Sequence, residues 1–79
     1  MTMDTKPDET LDCIGLYCPE PIFRTRLKLD EMSQGEVLEL FADDPAAEED
    51  IKSLIRRTKN KILSITKEKN ILRFLIKKI

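Results

Sequence analysis

Apolar positions along the chain switch between a period of two and a period near 3.6, and the switches divide it into six elements. Thr10–Leu16 (TLDCIGL) is a short apolar run ended by Gly15 and a Cys-Pro step, which predicts a first strand. Pro19–Ser33 then reads as a helix. Pro19 suits its first position and Pro21 still lies in its first turn. Ile22, Phe23, Leu27, Leu29 and Met32 give it a broad apolar side, and Gln34-Gly35 stops it. Glu36–Ala42 (EVLELFA) predicts a second strand. Asp43-Asp44-Pro45 opens a second helix, with Asp44 as N-cap and Pro45 as first helical residue. Ala47, Ile51, Leu54, Ile55 and Thr58 form one stripe along it. Lys61–Lys67 and Ile71–Lys78 are β-branched runs around Glu68-Lys69-Asn70. They predict a hairpin in which Asn70 supplies the left-handed turn residue.

The order strand, helix, strand, helix, strand, strand buries two helices on one face of a four-stranded mixed sheet, an α+β arrangement. Residues 1–9 are polar, contain Pro7, and read as a flexible tail before a single domain over 10–79.

Composition removes several chemistries. No His occurs, so neither an imidazole base nor a His-containing metal site comes from this chain alone. Two Cys are too few for a zinc or iron–sulfur site held by one copy, and two Gly leave no phosphate-cradling loop. No metal and no cofactor is expected. No apolar run approaches the roughly 20 residues that span a bilayer, and the first residues lack a signal-peptide core, so the expectation is a soluble, cytoplasmic protein without membrane contact. The net charge of −1 hides a segregation: residues 1–50 carry 14 acidic against 4 basic groups, residues 51–79 one acidic against 10 basic. Part of this is helix capping, with acids at N-termini and bases at C-termini.

The chemistry that remains is sulfur. In Cys18-Pro19-Glu20-Pro21, Pro19 fixes a helical φ directly after the cysteine and so places Cys18 at the N-cap. A thiol there meets the positive end of the helix dipole and nearby free backbone N–H groups, both of which favour thiolate, the nucleophilic form. Glu20 opposes the effect slightly, so a modestly lowered pKa is expected. Without His, hydrolysis is disfavoured and sulfur exchange is left: persulfide carriage, thiol–disulfide exchange or redox sensing.

Leu11-Asp12-Cys13-Ile14-Gly15-Leu16-Tyr17-Cys18-Pro19-Glu20-Pro21 resembles the signature of the TusA/SirA sulfur-carrier family: a Leu-Asp strand, Gly-Leu, then Cys-Pro-x-Pro opening a helix. The resemblance continues through Gly35-Glu36-Val37-Leu38 and Asp43-Asp44-Pro45-Ala46-Ala47 and covers roughly residues 10–79. It implies a two-layer βαβαββ sandwich in which Cys18 carries sulfane sulfur as a persulfide, with Asp12, Gly15, Pro19, Glu20 and Pro21 as supporting motif residues. The sulfur would come from a cysteine desulfurase or another persulfide donor. It would go to an acceptor protein in tRNA thiolation, cofactor biosynthesis or sulfur metabolism, making this a sulfurtransferase that works with partner enzymes. Arg24 and Arg26 match positions commonly basic in the family's first helix, where partners are contacted.

Cys13 lies on the same strand side as Leu11, opposite Asp12 and Ile14. It reads as a core residue, or alternatively as a resolving thiol for Cys18, which would require the Gly15–Tyr17 segment to fold back. Two other functions fit parts of the sequence: a small nucleic-acid-binding or regulatory module using the basic C-terminal half, and a Cys13/Cys18 redox switch. Phe74 is the one aromatic in the basic half, which disfavours direct nucleic-acid binding through stacked bases. The expected state is a monomer or weak dimer.

Overall fold

A computed structural model describes residues 6–17 and 19–79. Its elements are β1 (Glu9–Cys13), α1 (Glu20–Glu31), β2 (Val37–Ala42), α2 (Ala47–Thr58), β3 (Lys61–Glu68) and β4 (Ile71–Lys77). The sheet order is β1-β2-β4-β3, with β1 and β2 parallel and the other neighbours antiparallel. Both helices lie on one face, as the sequence predicts.

Several boundaries differ from the sequence pattern, each for a local reason. β1 stops at Cys13 and not Leu16, because the Leu16 N–H bonds back to the Cys13 carbonyl (3.1 Å) across a turn in which Gly15 has φ +85°. At its other end the sheet begins before Thr10. The Asp8 N–H donates to the Val37 carbonyl (2.7 Å), and the Val37 N–H donates to the Asp8 carboxylate (2.8 Å). α1 starts at Glu20, so Pro19 holds the N-cap position and Pro21 the second helical one. α2 starts at Ala47, not Pro45. Asp44 still prepares that start. Its carboxylate accepts the Ala46 N–H (3.1 Å) and its carbonyl the Ala47 N–H (2.9 Å), a turn inserted ahead of the helix. In the β3–β4 turn it is Lys69 that takes the positive φ (+58°), and not Asn70.

The core between the layers consists of Cys13, Leu38, Leu40, Ala42, Leu72, Phe74 and Ile76 from the sheet, against Leu29, Met32, Ala47, Ile51 and Ile55. The α2 stripe is buried as predicted, except for Thr58, which is exposed and bonds the Leu54 and Ile55 carbonyls. In α1 the buried side is Pro21, Thr25 and Leu29, whereas Phe23 (61% exposed) and Leu27 (49%) face solvent. At about 100° per residue those two fall opposite Thr25. The Thr25 hydroxyl is buried at no loss, because it donates to the Pro21 carbonyl at 2.6 Å.

The other sheet face has no helix over it. There the Arg73 guanidinium meets the Glu39 carboxylate (2.6 Å), which also accepts the Thr10 hydroxyl (3.2 Å), tying three strands together. Edge strand β3 is irregular: register passes from Ile62 opposite Ile76 to Ser64 opposite Leu75, leaving Leu63 as an extra residue.

Candidate functional site

Parallel pairing puts the C-terminal ends of β1 and β2 together (Cys13 opposite Ala42), and antiparallel pairing brings Leu72 of β4 to the same end (opposite Ala42). Three connections therefore meet there: the β1–α1 segment that contains the cysteine motif, the β2–α2 turn at Asp43–Ala46, and the Lys69-Asn70 hairpin turn.

The β1–α1 segment is held by a run of backbone bonds. The Ile14 N–H donates to Asp12 Oδ1 (2.9 Å), the Gly15 N–H to Asp43 Oδ1 (2.9 Å), and the Leu16 N–H to the Cys13 carbonyl (3.1 Å). Beyond it the Glu20 N–H donates to the Tyr17 carbonyl (2.8 Å). Asp12 and Gly15, both expected as motif residues, therefore lie in one hydrogen-bonded turn just before the cysteine motif. Sequence reasoning read Asp43 only as part of the α2 start and of the family resemblance, not as a partner of Gly15. The available signal was the Asp-Asp pair itself, because one carboxylate suffices to open α2.

Cys18, the expected sulfur-bearing residue, lies outside the described residues. Around it the structure shows what the motif builds. Pro19 caps α1, Pro21 is buried in the first turn, and Glu20 pairs with Arg24 at 3.1 Å. Few amides of the first turn are open to a ligand among the described residues, and the Phe23 N–H is taken by the Pro19 carbonyl (3.0 Å). Pro19 and Pro21 have no N–H, and that of Glu20 is engaged. The helix dipole remains to favour a sulfur anion at this end. Arg26 is exposed on α1, on the flank away from Arg24.

Cys13 is fully buried in the core. Burial pushes its thiol up from 9.0; the Arg24 guanidinium draws it down, while the Asp12 and Glu20 carboxylates add to the rise. At neutral pH Cys13 is therefore a thiol without solvent access, a poor nucleophile. A folded-state pKa above the unfolded one gives stability that is complete below about pH 9 and is lost as pH climbs through the folded value. Denaturant titrations from about pH 8 to about pH 10.5 are expected to show wild type losing stability more steeply than Cys13→Ala. Parallel pH profiles would contradict this.

Two open clefts flank this end. One, of about 590 Å³ on the open sheet face, has Phe41, Asp12, Ile14, Lys69 and Arg73 among its lining residues. The other, of about 460 Å³, lies between the β2–α2 turn and the hairpin, lined by Asp43, Asp44, Glu48, Lys67 and Asn70. Phe74, the aromatic of the basic half, is fully buried and offers no stacking surface. Among the described residues no helix is long and apolar enough to cross a membrane.

Residues 9–78 match the family model described as sulfurtransferase TusA. The chain belongs to the TusA family. Within it, a protein of Archaeoglobus fulgidus that bears the name of a sulfur carrier protein is 48% identical over 68 residues, covering 85% of this chain and 88% of that one. The fold agrees with the crystal structure of a SirA-like protein from Desulfitobacterium hafniense. That structure superposes with a TM-score of 0.78 at 20% identity and covers 87% of this chain and 95% of the other. The TusA-family match spans all six elements, so the cysteine motif stands here in the family's own fold and not as an isolated tetrapeptide.

Proposed function

We propose that this protein is a sulfur carrier in which Cys18 takes up sulfane sulfur as a persulfide and passes it to an acceptor protein. The observation that carries the reading is the burial of Cys13, the other cysteine of the chain. Cys13 is sealed in the core with its thiol raised, so the sulfur chemistry of the family falls to Cys18. The Cys18-Pro19-Glu20-Pro21 motif at the start of α1 supports it.

Loading needs no cofactor. The Cys18 thiolate attacks the terminal sulfur of a donor persulfide, such as that of a cysteine desulfurase. The donor's S–S bond breaks, a Sγ–S bond forms on Cys18, and the donor leaves as its thiolate. Delivery repeats the exchange with an acceptor thiolate as nucleophile, and no net oxidation occurs in either step.

Intact mass spectrometry after incubation with a cysteine desulfurase and cysteine is expected to show the mass of one added sulfur atom. It should vanish on reduction and be absent in Cys18→Ser. Loading that survives in Cys18→Ser, or no adduct on wild type, would sink the reading.

A further inference from the structure

The Gly15 amide is held by a residue 28 positions away, the Oδ1 of Asp43 at 2.9 Å. The contact is more than local turn chemistry. Asp12 already serves the Ile14 amide and the Cys13 carbonyl the Leu16 amide, so among the described residues Asp43 supplies the one bond in this turn that comes from another connection. Nor is Asp43 needed to open α2, since Asp44 accepts the Ala46 N–H and, through its carbonyl, the Ala47 N–H. Asp43 sits half-buried directly after β2, and β2 is pinned between β1 and β4. Its carboxylate is thus carried by the central part of the sheet. Gly15, with φ +85° and open space around its Cα, is the most conformationally free point of the segment leading to the motif. A charge-assisted bond from a rigid strand end to that amide is a fixed point three residues before Cys18.

We propose that Asp43 is a positioning residue for sulfur transfer: its carboxylate, anchored on β2, fixes the turn from which the Cys18 segment departs. The inference rests on the reading of Cys18 as the sulfur-bearing residue. Asp43 touches neither donor nor sulfur on this account. It acts by limiting where the loop goes, and small misplacements of a reacting group are costly to rate.

The test compares Asp43→Ala with Asp43→Asn, which keeps an oxygen acceptor and loses the charge. Asp43→Ala is expected to slow Cys18-dependent sulfur loading about tenfold with little change in KM for the donor. Its Gly15 amide should lose hydrogen-exchange protection. Asp43→Asn is expected to stay within about twofold of wild type, because the accepted bond survives. The pH profile of Cys18 alkylation, read by peptide mass, distinguishes anchoring from charge. Anchoring displaces it in Asp43→Ala and spares it in Asp43→Asn.

Equal slowing and equal displacement in both variants would make Asp43 a charge effect and overturn the proposal. So would a fall in thermal stability with wild-type loading. If alanine prevents folding, Asp43→Glu takes its place, keeping the charge but moving the oxygen by one methylene. Reduced loading is expected there, and unchanged loading overturns the proposal. Loading that persists in Cys18→Ser defeats the Cys18 reading itself, whereas Cys18-dependent loading indifferent to Asp43 defeats only this inference.

Discussion

Phe74→Ala is expected to leave little folded protein. Phe74 is fully buried on β4, opposite Leu40 on one side and Ile65 on the other, and is the largest of the completely enclosed side chains. Truncating such a ring costs about 3–5 kcal/mol, the lost transfer energy plus the cavity left behind. A domain of 79 residues has only about 4–12 kcal/mol in total at typical values per residue. Chains this small bury a modest share of their surface and hold little in reserve. Urea unfolding followed by circular dichroism should show a midpoint far below wild type or no transition, whereas Phe74→Leu should retain a cooperative one. A loss of less than about 1.5 kcal/mol for alanine would mean that the two layers collapse onto the site, contrary to the packing described.

Gly15→Ala and Gly35→Ala form a matched pair with opposite functional outcomes. Both glycines have positive φ (+85° and +90°), and at both an added Cβ would meet nothing within 4 Å. The cost is therefore conformational alone, about 1–2 kcal/mol for a non-glycine residue held in the left-handed region. Gly35 lies between α1 and β2, its N–H bonded to the Lys78 carbonyl (2.7 Å), at the end of the sheet away from Cys13 and Ala42. Gly15 lies in the turn that leads to the cysteine motif. Comparable stability losses are expected from the two variants, with Cys18-dependent sulfur loading falling about tenfold or more in Gly15→Ala alone. If loading tracked stability equally in both, the turn would have no role beyond folding.

How much of this was legible beforehand depends on the range of each interaction. The α2 stripe was clear because Ala47, Ile51, Leu54 and Ile55 recur at helical spacing and polar residues fill the other side. α1 misleads a reader of polarity. Its apolar Phe23 and Leu27 face water, while the polar Thr25 is buried because its own helix satisfies the hydroxyl. Exposed apolar side chains are common, and only the packed partner decides which side of a helix is inner. Element starts shifted where turns closed ahead of them, at Cys13–Leu16 and Asp44–Ala47. At the candidate site, the Cys18-Pro19-Glu20-Pro21 motif and the Asp12–Gly15 turn before it were legible as local patterns. The Asp43–Gly15 bond was not, because it joins residues brought together only once β1 and β2 pair.

The irregular edge strand bears on how a protein of this kind meets others. β3 is an outer strand, and an uninterrupted one invites a foreign strand to add to the sheet. Here the ladder breaks at Leu63, two residues after β3 begins, and Lys61 and Lys67 stand near its two ends. At the opposite edge β1 is only five residues long. Neither border is a good template for backbone pairing. Contacts with other proteins are thereby left to side chains and not to an added strand.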